Sequence, residues 1–383
     1  MTLQVHLPTD WQRATLVGRM QRPQGPSPIV IREGRVFDVS RVAATVSQLL
    51  NEWSGVAAKG EDLGPADQLP SAAAYEGAAE ASLLSPFDLQ CIKACGVTFA
   101  VSAVERVIEE RARGDFAQAQ RIREALGARV GADIRSVKPG SATAVRLKEA
   151  LISDGLWSQY LEVAIGPDAE VFTKAPVLSS VGWGAWIGVR SESQWNNPEP
   201  EIVLACDAAG RTLGATLGND VNLRDIEGRS ALLLGKAKDN NASCAMGPFI
   251  RMFDEHFTLD DVRRAVVSLE IEGADGYRLS GSSSMEHISR DPLELVRQTM
   301  SQHHYPDGFA LFLGTMFAPT EDRDTRGDAR GRGFTHKIND RVRVSTAALG
   351  CLDNRVTTCD QAPPWNFGIN DLMRNLAARG LLS

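Results

Sequence analysis

Residues 196–225 read NNPEPEIVLACDAAGRTLGATLGNDVNLRD. EIVLACD has the texture of a strand, Ala208, Ala209 and Gly210 that of a turn, and RTLGATLG that of a returning strand. Alternate residues of a strand share a face, so Glu199 and Glu201 project together. A reversal at Ala208-Ala209 carries the second strand past Glu199 within a residue or two of Asp220. Three carboxylates then converge. Without a cation they repel one another and resist ionisation. A hard divalent ion resolves the conflict, and all-oxygen ligation favours Mg²⁺, Ca²⁺ or Mn²⁺. A Glu-x-Glu pair alone fits a solvated strand end equally well, so the weight rests on the hairpin that adds the third acid.

The surrounding chain sets bounds on partners. Its 383 residues suit one large domain and a smaller one. The net charge of −7 makes nucleic acid and anionic membranes poor partners, since neither gains from counterion release or surface attraction. No apolar run approaches a membrane span, and the opening MTLQVHLPTDW has no basic region followed by an apolar stretch. The six cysteines form no Cys-x-x-Cys pair and no zinc spacing with histidine, so idle thiols in a reducing cytoplasm are expected.

Residues 1–85 suggest a small α+β domain, with IVIREGRVFDVS as a strand and RVAATVSQLLNEW as an amphipathic helix presenting Val42, Val46, Leu49 and Leu50. Residues 86–383 would form the catalytic domain. It includes a helical run from about Ser102 to Leu126, whose charges predict a solvated helix or lid. From about Pro176 short β-like segments dominate, interrupted by helices with start signals at Thr258–Asp261 and Asp291–Glu294. The charged, Gly-rich 321–334 stretch suggests a solvated loop. The fold class expected is mixed, β-rich α+β.

Further strings flank the acids: Phe172-Thr173-Lys174-Ala175-Pro176, Asn219-Asp220 followed by Arg224-Asp225, Lys238 nine residues before Gly247-Pro248, and Gly314-Thr315. In this order and spacing they resemble the fumarylacetoacetate hydrolase superfamily over roughly residues 85 to 360. The resemblance implies a β-roll catalytic domain and Mg²⁺, or Mn²⁺, on Glu199, Glu201 and Asp220. One departure is informative. Hydrolases of the family carry Gly-x-Asn-Tyr-x-x-His-x-x-Glu, whose His-Glu pair activates water. Here Gly96 to Glu105 has Phe99 in the aromatic position and Ser102 in place of the histidine. A hydroxyl titrates far above neutral pH and cannot act as that base.

The missing histidine, together with DNNASCAMGPFI, SSSMEHISR and GRGFTHKINDRV, is similar to the 2-keto-3-deoxy-D-pentonate dehydratase branch. That branch forms 2,5-dioxopentanoate and water from a 2-keto-3-deoxy sugar acid. The resemblance implies Lys238 as base at C3 (with a pKa depressed by the metal) and Glu105 as acid for the C4 hydroxyl. Phe99, Ser102, Lys174, Gly314 and Thr315 would contact substrate, and Arg224 and Asp225 would orient the Asp220 loop. A cytoplasmic homodimer or homotetramer is expected. Two alternatives stand beside it: an acylpyruvate hydrolase or oxaloacetate decarboxylase of the superfamily, and a catalytically silent sugar-acid sensor.

Overall fold

The structure, a computed structural model, describes residues 6–54, 60–68, 73–77, 82–113, 115, 117–119, 121–122, 137–153, 155, 157–324 and 333–382. The N-terminal strands are β1 (Leu16–Arg22), β2 (Gly25–Arg32), β3 (Arg35–Asp38) and β4 (Glu61–Pro65). Next come β5 (Cys91–Gly96), β6 (Glu170–Ala175), β7 (Trp186–Val189) and β8 (Asn196–Asn197). The hairpin is β9 (Pro200–Cys206) and β10 (Thr212–Asp220), followed by β11 (Asn222–Leu223) and β12 (Cys244–Met252). The last strands are β13 (Val266–Glu272), β14 (Arg278–Ser284), β15 (Phe309–Phe312), β16 (Arg341–Thr346) and β17 (Gly350–Thr358).

Among the described residues a ten-stranded sheet runs β4-β3-β2-β1-β12-β10-β9-β15-β5-β6, and a five-stranded sheet runs β14-β13-β16-β17-β7. The β-rich α+β class follows. Most neighbours are antiparallel, while β15–β5 and β17–β7 are parallel. β9 is central and buried on both faces, which is why Ile202 to Cys206 is continuously apolar rather than alternating. Ile202 and Leu204 join the core beneath the second sheet, with Leu269, Val344 and Leu352. Val203 and Ala205 face the opposite core, which the helix Val46–Asn51 covers with Val46, Leu49 and Leu50.

The reversal lies where the sequence places it. Asp207 accepts from the backbone N–H groups of Ala209 and Arg211, and Gly210 takes a positive φ of 76°. The register pairs Glu201 with Gly218 and Pro200 with Asn219, and Asp220 N–H donates to the Glu199 carbonyl at 3.0 Å. A capping box at Thr258/Asp261 and an Asp291 N-cap start the helices Leu259–Arg263 and Pro292–Met300 as expected.

Other local readings need correction. IVIREGRVFDVS is two strands, because Glu33 and Gly34 both take positive φ and form a two-residue turn. The first helix begins only at Val46, capped by the Thr45 hydroxyl, so Val42 lies outside it and is exposed. Residue 85 falls between strands of one sheet. β1 pairs with β12, and Leu16 and Ile29 share a core with Ile202, so the N-terminal strands continue the main sheet. The helix from Ser102 is Ala100–Ala112, closed by Arg113 at φ 52°. Much of its expected continuation, and residues 325–332 of the charged loop, lie outside the described residues.

Gly218 is needed at its register position. A Cβ there would lie 2.3 Å from the Phe312 ring and 2.7 Å from Val203 Cγ2. Gly218→Ala is expected to lower the apparent melting temperature by several degrees, since overpacking costs about 1–3 kcal/mol. An unchanged melting curve would show that β9, β10 and β15 do not pack this tightly.

Candidate metal centre and adjoining cleft

Glu199, Glu201 and Asp220 each offer a carboxylate oxygen, and the three oxygens lie within 4.8 Å of one another. All three side chains are buried. Glu201 is held by Gly314 N–H at 2.7 Å and the Thr315 hydroxyl at 3.3 Å. Gly314 cannot carry a side chain: its φ is 105°, and a Cβ would lie 1.9 Å from Thr98 Oγ1. Its role here is to orient Glu201 through the backbone.

The protein supplies cations of its own to these acids. Lys238 Nζ donates to Glu199 Oε2 at 2.5 Å and to Asp220 Oδ2 at 3.0 Å. Lys174 Nζ pairs with Asp220 Oδ1 at 2.8 Å and donates to the carbonyl of Lys238. Arg106 donates from Nη2 to Glu199 Oε1 at 2.5 Å. Burial works against the Lys238 charge, but Asp220 and Glu199 outweigh it and hold the ammonium above its ordinary range. The depression expected of its pKa belongs to the metal-bound site. Burial, then the charges of Asp220 and Glu199, push Glu201 well above the carboxylate range. Glu199 goes the other way: burial opposes its charge, but Lys238 and Arg106 dominate and hold it low.

Lys174, expected at the substrate, is instead spent inside the protein. It is fully buried, and its ammonium is occupied by Asp220, Lys238 and more distant contacts to Val221 and Ser243. Phe99 lies in the main core. Ser102, Glu105 and Thr315 do come together, lining a small cleft beside Glu199 with Arg106, Glu109, Arg224 and Phe317. Among the described residues no histidine lines that cleft. His336 is buried next to Asp340, and His6 packs at a tilt against Trp183. Arg224 pairs with Glu109 at 3.2 Å, and Asp225 accepts from Ser193 Oγ and Gln194 N–H.

Two residues enter that sequence reasoning missed. Arg106 stood in a helix expected to be solvated, yet it is buried, with Glu109 at 2.6 Å and Glu227 at 2.8 Å besides Glu199. Glu170 begins β6 opposite Gly96, and a Cβ on Gly96 would lie 2.0 Å from its carboxylate. Burial first, then the charge of Glu227, raise its pKa to about 7, with Lys238 and Glu199 within electrostatic reach. The only sequence signal for it was an acid preceding the Phe-x-Lys-x-Pro string.

The site thus defines a class: a β-rich α+β protein with a buried three-carboxylate centre suited to a hard divalent cation, next to a cleft that holds titratable groups. Residues 179–357 match the family Fumarylacetoacetate (FAA) hydrolase C-terminal. Among curated proteins, a 2-dehydro-3-deoxy-D-arabinonate dehydratase of Saccharolobus solfataricus is 33% identical over 162 residues, 42% of this chain and 52% of the relative. A probable 2-keto-3-deoxyxylonate dehydratase of Haloferax volcanii is 29% identical over 199 residues, 52% of this chain and 64% of the relative. The chain therefore spans between half and two thirds of these relatives' length. A solved 2-keto-3-deoxy-D-arabinonate dehydratase, complexed with magnesium and 2,5-dioxopentanoate, superposes with a TM-score of 0.62 at 20% identity, covering 90% of this chain and 99% of that one. Fumarylacetoacetate hydrolase from Exiguobacterium antarcticum gives a TM-score of 0.55 at 15% identity, covering 90% and 99%. These structures establish the shared fold. Among the described residues no helix is long and apolar enough to cross a membrane.

Two titrations follow. Burial and the charges of Asp220 and Glu199 raise the proton affinity of Glu201 when no cation is bound, so Mg²⁺ binding should release protons and tighten as pH rises. Calorimetry in buffers of different ionisation enthalpy measures this, and a buffer-independent heat would contradict it. Glu170 has a folded pKa of about 7 against an ordinary 4.5. Folding therefore favours its protonated form: the stabilisation is full below 4.5 and is lost as pH rises through 7. Glu170→Gln should then gain on the parent between pH 5 and pH 8, by up to about 3 kcal/mol. Melting of the metal-free protein at the two pH values checks this.

Proposed function

We propose that the protein is a Mg²⁺-dependent hydro-lyase that converts 2-keto-3-deoxy-D-xylonate or -arabinonate to 2,5-dioxopentanoate and water in non-phosphorylating pentose breakdown. The observation that carries this is the pairing of the three-carboxylate centre with a cleft where Ser102 replaces the hydrolytic histidine. The two curated relatives carry dehydratase names, which supports the same reading.

Glu199, Glu201 and Asp220 would hold Mg²⁺ (Mn²⁺ suits the same donors), which when bound supplies Lewis acidity to the 2-oxo acid end of the substrate. The chain's own groups then move protons. Glu170, half-buried and with its pKa raised to about 7, suits removal of a C3 proton. Lys238, held as an ammonium by Glu199 and Asp220, suits protonation of the C4 hydroxyl as it leaves. Tautomerisation of the enone toward C5 yields the aldehyde. This reading departs from Lys238 as base and Glu105 as acid: Glu105, which with Ser102 lines the cleft from the helix, would meet substrate hydroxyls. Thr315 borders the same cleft, while Gly314 acts through Glu201. We further propose a cytoplasmic homo-oligomer; the free state of all six cysteines supports a reducing compartment.

Turnover of 2-keto-3-deoxy-D-xylonate, followed through an aldehyde dehydrogenase that oxidises the product, should require Mg²⁺ and stop with EDTA. Glu201→Gln and Lys238→Met should each lose at least about 100-fold in kcat. Pyruvate release from oxaloacetate or an acylpyruvate, with no aldehyde formed, would overturn the proposal.

A further inference from the structure

The helix Ala100–Ala112 contributes Ser102, Glu105, Arg106 and Glu109 to the cleft wall. Its Arg106 reaches the metal centre. Arg106 ion-pairs with Glu199 at 2.5 Å, Glu109 at 2.6 Å and Glu227 at 2.8 Å. Glu109 pairs onward with Arg224 at 3.2 Å, whose guanidinium stacks over Trp195 and donates to the Pro319 carbonyl. A buried guanidinium among three carboxylates has one arrangement that satisfies them all, and its planar fork holds each direction. The two oxygens of Glu199 are divided. Lys238 bridges Oε2 to Asp220, on the side of the acid cluster, while Arg106 holds Oε1 on the side of the helix. A cation held by the three acids can therefore engage Glu199 without breaking its bond to Arg106.

We propose that Arg106 is a positioning residue that mechanically couples the metal centre to the helix carrying Ser102 and Glu105, so that metal binding at Glu199 fixes that helix over the cleft. Its catalytic consequence rests on the dehydratase reading; the coupling itself does not. A guanidinium is required because an ammonium on a shorter reach cannot serve three carboxylates in one plane.

The test compares wild type with Arg106→Gln and Arg106→Lys by hydrogen exchange over residues 102–112, with and without Mg²⁺, alongside calorimetric Mg²⁺ titration and turnover. In wild type Mg²⁺ should slow exchange in this helix several-fold. In Arg106→Gln that response should vanish while the Mg²⁺ Kd stays within about threefold, and kcat should fall at least 30-fold with a smaller change in KM. Arg106→Lys keeps the charge and guards against misfolding; it should restore part of the exchange response and part of kcat. A wild-type exchange response in the folded Gln variant would overturn the coupling. Loss of Mg²⁺ binding in both variants would also overturn it, making Arg106 part of the charge balance of the centre. If wild type shows the exchange response but no sugar-acid turnover, the proposed reaction fails and the assignment of Arg106 stands.

Discussion

Three buried carboxylates meeting at the end of an antiparallel pair create a charge problem that the rest of the site answers. The register of β9 on β10 sets Glu199 across from Asp220, with Glu201 two residues along the same strand. All three are almost fully buried. Lys238 and Lys174 therefore come in from one side and Arg106 from the other. Breaking such a buried arrangement by removing one partner is far more damaging than the net worth of the pair suggests, because a bare charge remains. The charge balance also explains why Lys174 is unavailable to a ligand and why Lys238 is held as an ammonium.

The scaffold serves that cluster in separable ways. The central position of β9 gives rigid backbone on both sides, so the acids sit on an element that does not move independently. Gly314 lets the chain after β15 turn its N–H onto Glu201, where any side chain would strike Thr98. Gly96 leaves room for the half-buried Glu170 carboxylate, which feels the charge of Lys238 from outside its ion pairs with Glu199 and Asp220. One carboxyl is thus kept poised near neutrality while Glu199, bound by two cations, is held ionised. Groups whose surroundings drive their proton affinities apart are what acid–base chemistry requires.

Ser102 lines the cleft from the helix, and among the described residues no histidine does. The helix retains Glu105 and adds the Arg106–Glu109 pair, which links it through Arg224 to the segment that follows β15. Cleft wall and metal centre are therefore parts of one electrostatic network rather than two neighbouring features.

The hairpin, its three acids, the helix starts at Thr258 and Asp291, and the serine at position 102 were legible in the sequence because each depends on local rules. Strand alternation has a period of two, a turn needs particular residues within four positions, and a cap acts within one helical turn. The same rules misjudged IVIREGRVFDVS, where Glu33 adopts a positive φ that its identity does not advertise. What only the tertiary structure decided was which charge meets which. Arg106 lies 93 residues from Glu199, and Lys174 lies 46 residues from Asp220. A charged helix looks solvated in sequence because its partners belong to other elements; burial of Arg106, occupation of Lys174 and the poise of Glu170 follow from packing that brings distant carboxylates into one low-dielectric space, where Coulomb energy rather than local propensity selects the pairing.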